Sequence, residues 1–216
     1  MTKNTWFIAI AGNIGVGKST LTDLLSRRLG WEPYFEAVDE NPYLADFYQD
    51  MSRWAFHSQV FFLSRRAQHH YDLLQRGHPV VQDRTMYEDA EIFARNLFLQ
   101  GHMSERDYGV YRDLYETFVR ILPPPDLVVY LRASVPTLLE RIRRRGRSYE
   151  QRIAPSYLSQ LNRLYDEWAS RFNVCPVLTI PADTLDFVQN AHHLQVIVNR
   201  VLEKLSGEST SRFRAK

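Results

Sequence analysis

The chain has 216 residues, 44% hydrophobic and 24% charged, the balance of an ordinary globular protein and not of a disordered, collagen-like or low-complexity one. Its net charge of +2 is too small to attract nucleic acid by bulk charge, and its one cysteine, Cys175, can form no internal disulfide. No apolar run nears the ~20 residues of a membrane span, so the expectation is a soluble cytoplasmic protein, with residues 1–205 as one domain and 206–216 as a polar tail.

Short apolar runs alternate with amphipathic stretches along the whole chain. Trp6–Ile10 reads as a buried strand, followed by a helix with Leu21, Leu24, Leu25 and Leu29 on one face and Gly30 as its stop. Tyr34–Val38 is a second strand candidate, and Trp54–Gln75 a long helix ended by Gly77. Pro79–Gln82 is the third strand, with helices expected at 88–99 and 104–121. Pro123, Pro124 and Pro125 lead stiffly into a fourth strand, Leu127–Leu131. Helices at 135–144 and 155–171, a fifth strand at Pro176–Ile180 and a helix at 187–205 complete the series. Strands alternating with helices imply an α/β fold with a five-stranded parallel sheet flanked by helices.

Between the first strand and first helix stands Gly12-Asn13-Ile14-Gly15-Val16-Gly17-Lys18-Ser19, with Thr20 next. This is the G-x-x-x-x-G-K-[ST] pattern in its proper setting. Glycines let the backbone curl so that its N–H groups face phosphate oxygens, and the helix start adds a positive dipole end. Lys18 can reach the outer phosphates, and the Ser19 hydroxyl can ligate Mg²⁺. A glycine-rich turn without a ligand is the bland alternative, and the strand and helix flanking it argue against that. No N-K-x-D guanine motif occurs, and the chain is short for a motor or helicase, so a small nucleoside-triphosphate-dependent kinase acting on a diffusible acceptor is expected.

The third strand runs into Asp83 and Arg84, at the strand ends where open α/β sheets bind ligands. There a carboxylate can take a proton or help hold Mg²⁺, and an arginine can hold transferring phosphate oxygens. A surface ion pair capping the next helix is the alternative. Five arginines fall between Arg141 and Arg147. They could be a solvated helix face, a nucleic-acid patch or a mobile lid, and the lid fits a triphosphate best. The pairs His69-His70 and His192-His193 lack metal-ligand spacing and read as solvated helix histidines; Cys175 reads as a buried small hydrophobe.

The P-loop, the Asp-Arg-Thr after the third strand, and Arg141…Arg145-Gly146-Arg147 together resemble the deoxynucleoside kinase family, over roughly residues 6–190. The segments Asn41–Tyr48 and Arg53–Gln59 resemble its bacterial deoxyadenosine/deoxyguanosine kinase branch. The resemblance implies a P-loop kinase fold with an arginine-rich lid, ATP with Mg²⁺, a deoxynucleoside acceptor, no nucleic-acid partner and a homodimer. It implies Glu36 as general base, Asp83 beside Mg²⁺ with Ser19, and Arg84 on the 5′-oxygen and phosphate; the reverse assignment of Glu36 and Asp83 stays open. Tyr48 and Glu150 match the pair holding the sugar 3′-hydroxyl, and Arg141, Arg145 and Arg147 match the lid arginines. Gln59, Arg66 and Asp89 match the base-reading positions, and Phe93 the aromatic that stacks on the base. Such a set favours purine deoxynucleosides, allows deoxycytidine and places thymidine last. Ser58 and Asn41 depart from the aromatic residues of animal members, which implies a roomier base pocket. Thr85 replaces a serine, and Asp183–Phe187 resembles the loop around the donor adenine. The nearest competing reading is a nucleoside monophosphate kinase of thymidylate-kinase type. A P-loop ATPase whose arginine run contacts nucleic acid is the competitor from another class.

Overall fold

In the computed structural model, which describes residues 5–35, 40–147, 150 and 153–207, five strands form one parallel sheet in the order β2-β3-β1-β4-β5. They are β1 (Phe7–Gly12), β2 (Glu32–Tyr34), β3 (Val80–Asp83), β4 (Leu127–Arg132) and β5 (Val177–Pro181). The helices before β4 are α1 (Lys18–Leu29), α2 (Leu44–Gln49), α3 (Met51–Leu74), α4 (Met86–Glu88), α5 (Arg95–Leu99) and α6 (Glu105–Ile121). After it come α7 (Val135–Arg145), α8 (Pro155–Arg171) and α9 (Ala191–Ser206). Among the described residues no helix is long and apolar enough to cross a membrane.

Every residue of the central strand β1 is buried, because helices cover both faces of the sheet. Successive strand side chains point to opposite faces. Phe7, Ala9 and Ala11 enter a core with Leu63 of α3, Tyr111 of α6 and Tyr165 of α8. Ile8 and Ile10 enter a second core with Leu21 and Leu25 of α1, Ile142 of α7 and Ile197 of α9. Each buried Leu, Ile or Phe among them stabilises the fold by roughly 1.5–3 kcal/mol, which is why these strands read as unbroken apolar runs.

The element boundaries move where local hydrogen bonds decide them. Pairing of Glu32 with Val80 and Tyr34 with Gln82 ends β2 earlier than expected; residues 36–38 of the expected strand lie outside the described residues. Asp50 caps α3 by accepting the Arg53 N–H, so the helix starts at Met51, ahead of Trp54, with the separate α2 before it. Asn190 accepts the N–H groups of His192 and His193, which starts the last helix at Ala191 instead of 187. The helix expected over 88–99 is interrupted by a π-helical turn, Asp89–Ala94, in which the Arg95 N–H reaches back to the Ala90 carbonyl. Of the expected polar tail, 208–216 lies outside the described residues.

His70 corrects the expectation of solvated histidines. It is buried, its Nε2 lies 2.7 Å from the Pro123 carbonyl oxygen, and its ring meets Phe7 edge-on at 4.8 Å. Helix α3 reaches across the sheet at this point, so its apolar face includes the histidine. Burial lowers the His70 pKa below its ordinary value. The unfolded chain therefore takes up a proton near pH ~6.5 that the folded chain refuses, and stability falls as pH drops through and below that value. Chemical denaturation should give a lower unfolding free energy near pH ~5.5 than near pH ~7.5, with the difference reduced in His70→Gln. An undiminished difference in that variant would remove His70 as its source. Cys175 is half-buried, and burial pushes its thiol pKa up to about 12, as befits a small hydrophobe.

Candidate active site

The loop between β1 and α1 is shaped by its glycines. Gly12 has φ 145°, and a Cβ there would stand 2.6 Å from the Leu131 carbonyl oxygen, while one on Gly15 (φ 80°) would stand 2.7 Å from the Ile142 side chain. A side chain at either position would force its neighbours to shift. Asn13 anchors the loop: its Oδ1 accepts the Ile14 N–H at 2.7 Å, and its Nδ2 donates to the Leu158 carbonyl at 3.0 Å and Asn162 Oδ1 at 2.8 Å. Lys18 Nζ donates to the carbonyls of Gly12 (2.9 Å) and Asn13 (3.2 Å), which keeps its charge at the loop's centre. Thr20 lines the same cleft as the loop.

The end of β3 brings the acceptor-side residues to the loop. Ser19 Oγ donates to Asp83 Oδ2 at 2.5 Å. A hydroxyl beside a carboxylate is the hard-oxygen pair that Mg²⁺ takes, with phosphate oxygens completing its shell. Among the described residues no group of three or more His, Cys, Asp or Glu is gathered as a metal cage. Arg84 follows with φ 68°, the one positive φ outside glycine among the described residues. Its guanidinium lies 4.3 Å over the Phe93 ring, inside the cleft.

Helix α7 carries the arginine run. Arg141 Nη1 donates to the Val16 carbonyl at 2.7 Å and Nη2 to the Ala182 carbonyl at 2.8 Å, so it braces the phosphate loop against the loop after β5. Gly146, left-handed at φ 75°, ends the helix. Arg145 and Arg147 then approach one buried carboxylate, Glu150, at 2.6 and 3.6 Å. In the loop after β5, Asp183 accepts from the Ser134 N–H and from Thr137 Oγ1, which hold its pKa below the ordinary carboxylate value against the opposing effect of burial.

The opposite wall is built by α3 and the π turn. Arg66 Nε donates to Asp89 Oδ2 at 2.5 Å and Arg66 Nη2 to Asp89 Oδ1 at 3.2 Å, a buried bidentate pair. Asp89 faces the cleft, with Arg66 behind it. Gln59, also at the cleft, is 5% exposed, and its Oε1 accepts no hydrogen bond from the described residues. The π turn starts at Asp89 and contains Phe93; such turns insert a residue and commonly mark functional positions. The departures at Asn41 and Ser58 prove to be one feature. Asn41 Nδ2 donates to Ser58 Oγ at 3.0 Å, both are buried, and neither is among the described residues lining the cleft.

A single cleft of about 950 Å³ runs from Gly15–Thr20 through Asp83 and Arg84 to Tyr48, Gln59, Asp89 and Phe93, roofed by Arg141, Arg145, Arg147 and Glu150. Glu36 lies outside the described residues. Phe62 also lines the cleft, as does Tyr157, which was not singled out from sequence; burial pushes the Tyr157 pKa up to about 12. Nothing in the local sequence marks Tyr157, because only the packing of α8 beside Arg84 brings it there.

Residues 8–206 match the deoxynucleoside kinase family. The chain is 40% identical over 196 residues to the deoxyadenosine/deoxycytidine kinase of Bacillus subtilis (strain 168), covering 90% of each chain. It is 38% identical over 205 residues to the deoxyguanosine kinase of the same organism, covering 91% of this chain and 96% of that one. Among solved structures, deoxyadenosine kinase from M. mycoides with bound dCTP is similar at a TM-score of 0.79 and 34% identity, covering 91% of this chain and 98% of that one.

Proposed function

The chain belongs to the deoxynucleoside kinase family and is a phosphotransferase, and on that premise we propose that it moves the γ-phosphoryl group of ATP to the 5′-hydroxyl of a purine deoxynucleoside, with deoxycytidine a weaker acceptor. The observation that carries this reading is the two-ended cleft. One end offers curled glycines, Lys18 and the Ser19–Asp83 pair to a triphosphate, and the other offers Gln59 and Asp89 to a base. Phosphoryl transfer asks mainly for positioning and charge neutralisation. In this reading Lys18, Arg141, Arg145 and Arg147 hold the donor phosphates, and Arg84 holds the oxygens of the group in transfer. Ser19 and Asp83 would hold Mg²⁺, which supplies charge neutralisation when bound. Glu36 takes the proton of the 5′-hydroxyl, and Tyr48 with Glu150 holds the 3′-hydroxyl. Gln59 Oε1 is an acceptor awaiting an exocyclic amino group, as side-chain amides pair with adenine. The Arg66–Asp89 pair suits a base edge with an exocyclic amino group or ring nitrogen and accommodates a thymine methyl poorly, which puts thymidine last. Tyr43, Phe56, Val60 and Phe61, with the polar His57, Ser64, Arg65 and Gln68, line a shallow groove along α3, suited to a second subunit in a cytoplasmic homodimer serving nucleotide salvage.

The pair Arg66–Asp89 gives the sharpest test. Removing one partner would leave a buried charge alone, so both are replaced together. Arg66→Val with Asp89→Ala should raise the thymidine-to-deoxyadenosine ratio of kcat/KM by about tenfold or more. A double variant with the parent's ranking would show the pair to be structural only.

A further inference from the structure

Glu88 is fully buried, and its carboxylate accepts four hydrogen bonds from the described residues. Its Oε1 accepts the Gly12 N–H at 3.1 Å and the Tyr165 hydroxyl at 2.8 Å. Its Oε2 accepts the Thr85 N–H at 2.8 Å and the Thr85 hydroxyl at 3.3 Å, and Thr85 Oγ1 in turn accepts the Glu88 N–H. One carboxylate thus ties the first glycine of the phosphate loop to the residue that follows Asp83-Arg84. Those two places are distant in sequence, and they carry the donor and acceptor halves of the reaction. Helix α8 is tied in through Tyr165, whose ring lies edge-on to Phe93 at 6.4 Å. Glu88 also sits in the field of Lys18 and Arg84, whose charges oppose the effect of its burial.

We propose that Glu88 is a positioning residue for phosphoryl transfer, a buried clamp that sets the separation between the phosphate loop and Asp83-Arg84. Transfer between two bound molecules is acutely sensitive to this separation, since a misplacement of about 1 Å can cost roughly 10²-fold in rate. Binding of each substrate alone depends on one half of the site, so it survives a change in the spacing. The proposal rests on the reading of the P-loop and of Asp83-Arg84 given above, but not on which acceptor base is preferred.

Glu88→Gln conserves size and inverts one contact. Whichever way the amide is turned, its NH₂ faces either the Gly12 N–H or the Thr85 N–H, so one side of the clamp opens. Glu88→Asp keeps the charge but is too short to reach both. Tyr165→Phe removes a hydroxyl and leaves both N–H contacts. With kcat expressed per folded molecule from an ATP-binding titration, Glu88→Gln and Glu88→Asp should each lower kcat by about 10²-fold, with both KM values within about threefold. Tyr165→Phe should stay within about fivefold of the parent. A fall below about tenfold in Glu88→Gln or Glu88→Asp, or one carried by KM, overturns the clamp. The milder Glu88→Asp decides the matter if Glu88→Gln fails to fold. Ratios are taken on whichever acceptor the parent turns over best, so an error in the proposed acceptor shows in the parent and not in the ratios.

Discussion

Replacing Arg84 by alanine or by glycine is expected to lower kcat by about 10³-fold in both variants, while the glycine variant is about 1 kcal/mol more stable than the alanine variant. Arg84 holds φ at 68°, a left-handed backbone that costs any side chain with a Cβ and costs glycine nothing. Both replacements remove the same guanidinium and its 4.3 Å contact with Phe93, so their difference isolates the backbone. The strain serves a purpose: it turns the chain sharply after Asp83, so that the carboxylate meets Ser19 and the next side chain still enters the cleft. Urea denaturation of the two variants beside their turnover measures both effects. Equal stability would mean that Arg84 stores no strain, and retained turnover would take the arginine out of the transfer step.

Asp83→Asn and Glu36→Gln should each lower kcat by about 10²–10⁴-fold, and should part company in their demand for Mg²⁺. The 2.5 Å contact from the Ser19 hydroxyl places Asp83 against the phosphate loop, where in the proposed mechanism its carboxylate would complete a metal's oxygen shell. Asparagine keeps the shape and loses the charge, so half-maximal activity of Asp83→Asn should need more Mg²⁺ than the parent. In Glu36→Gln that requirement should be unchanged, because the proposed mechanism gives Glu36 only the proton of the 5′-hydroxyl. A raised Mg²⁺ requirement in Glu36→Gln with none in Asp83→Asn would reverse the two roles.

The phosphate loop was legible because its glycines are strongly required: a Cβ at Gly12 or Gly15 would press on β4 or α7 and strain a positive-φ backbone, so any other residue there would force its neighbours to shift. The sheet was legible because two-sided burial leaves strands such as Phe7–Gly12 and Leu127–Arg132 with almost nothing polar. Other features depend on contacts between distant segments. The π turn at Asp89 leaves no trace in periodicity over so few residues, and His70 looks like any polar helix position until Phe7 and Pro123 close over it. Glu88 was within reach, since Thr85-Met86-Tyr87-Glu88 spells a capping box, yet the pattern announces only a helix start. That its carboxylate also holds Gly12 follows from the β1–β3 pairing and from nothing local.

The most direct test of the acceptor assignment is a phosphoryl-transfer assay with ATP and Mg²⁺ against the four deoxynucleosides and their four monophosphates in parallel. The highest kcat/KM should fall on deoxyadenosine or deoxyguanosine, with deoxycytidine lower and thymidine last. Turnover confined to the monophosphates would contradict the roles given to Glu36, Tyr48 and Glu150, and would leave the acceptor end of the cleft to a nucleotide instead of a nucleoside.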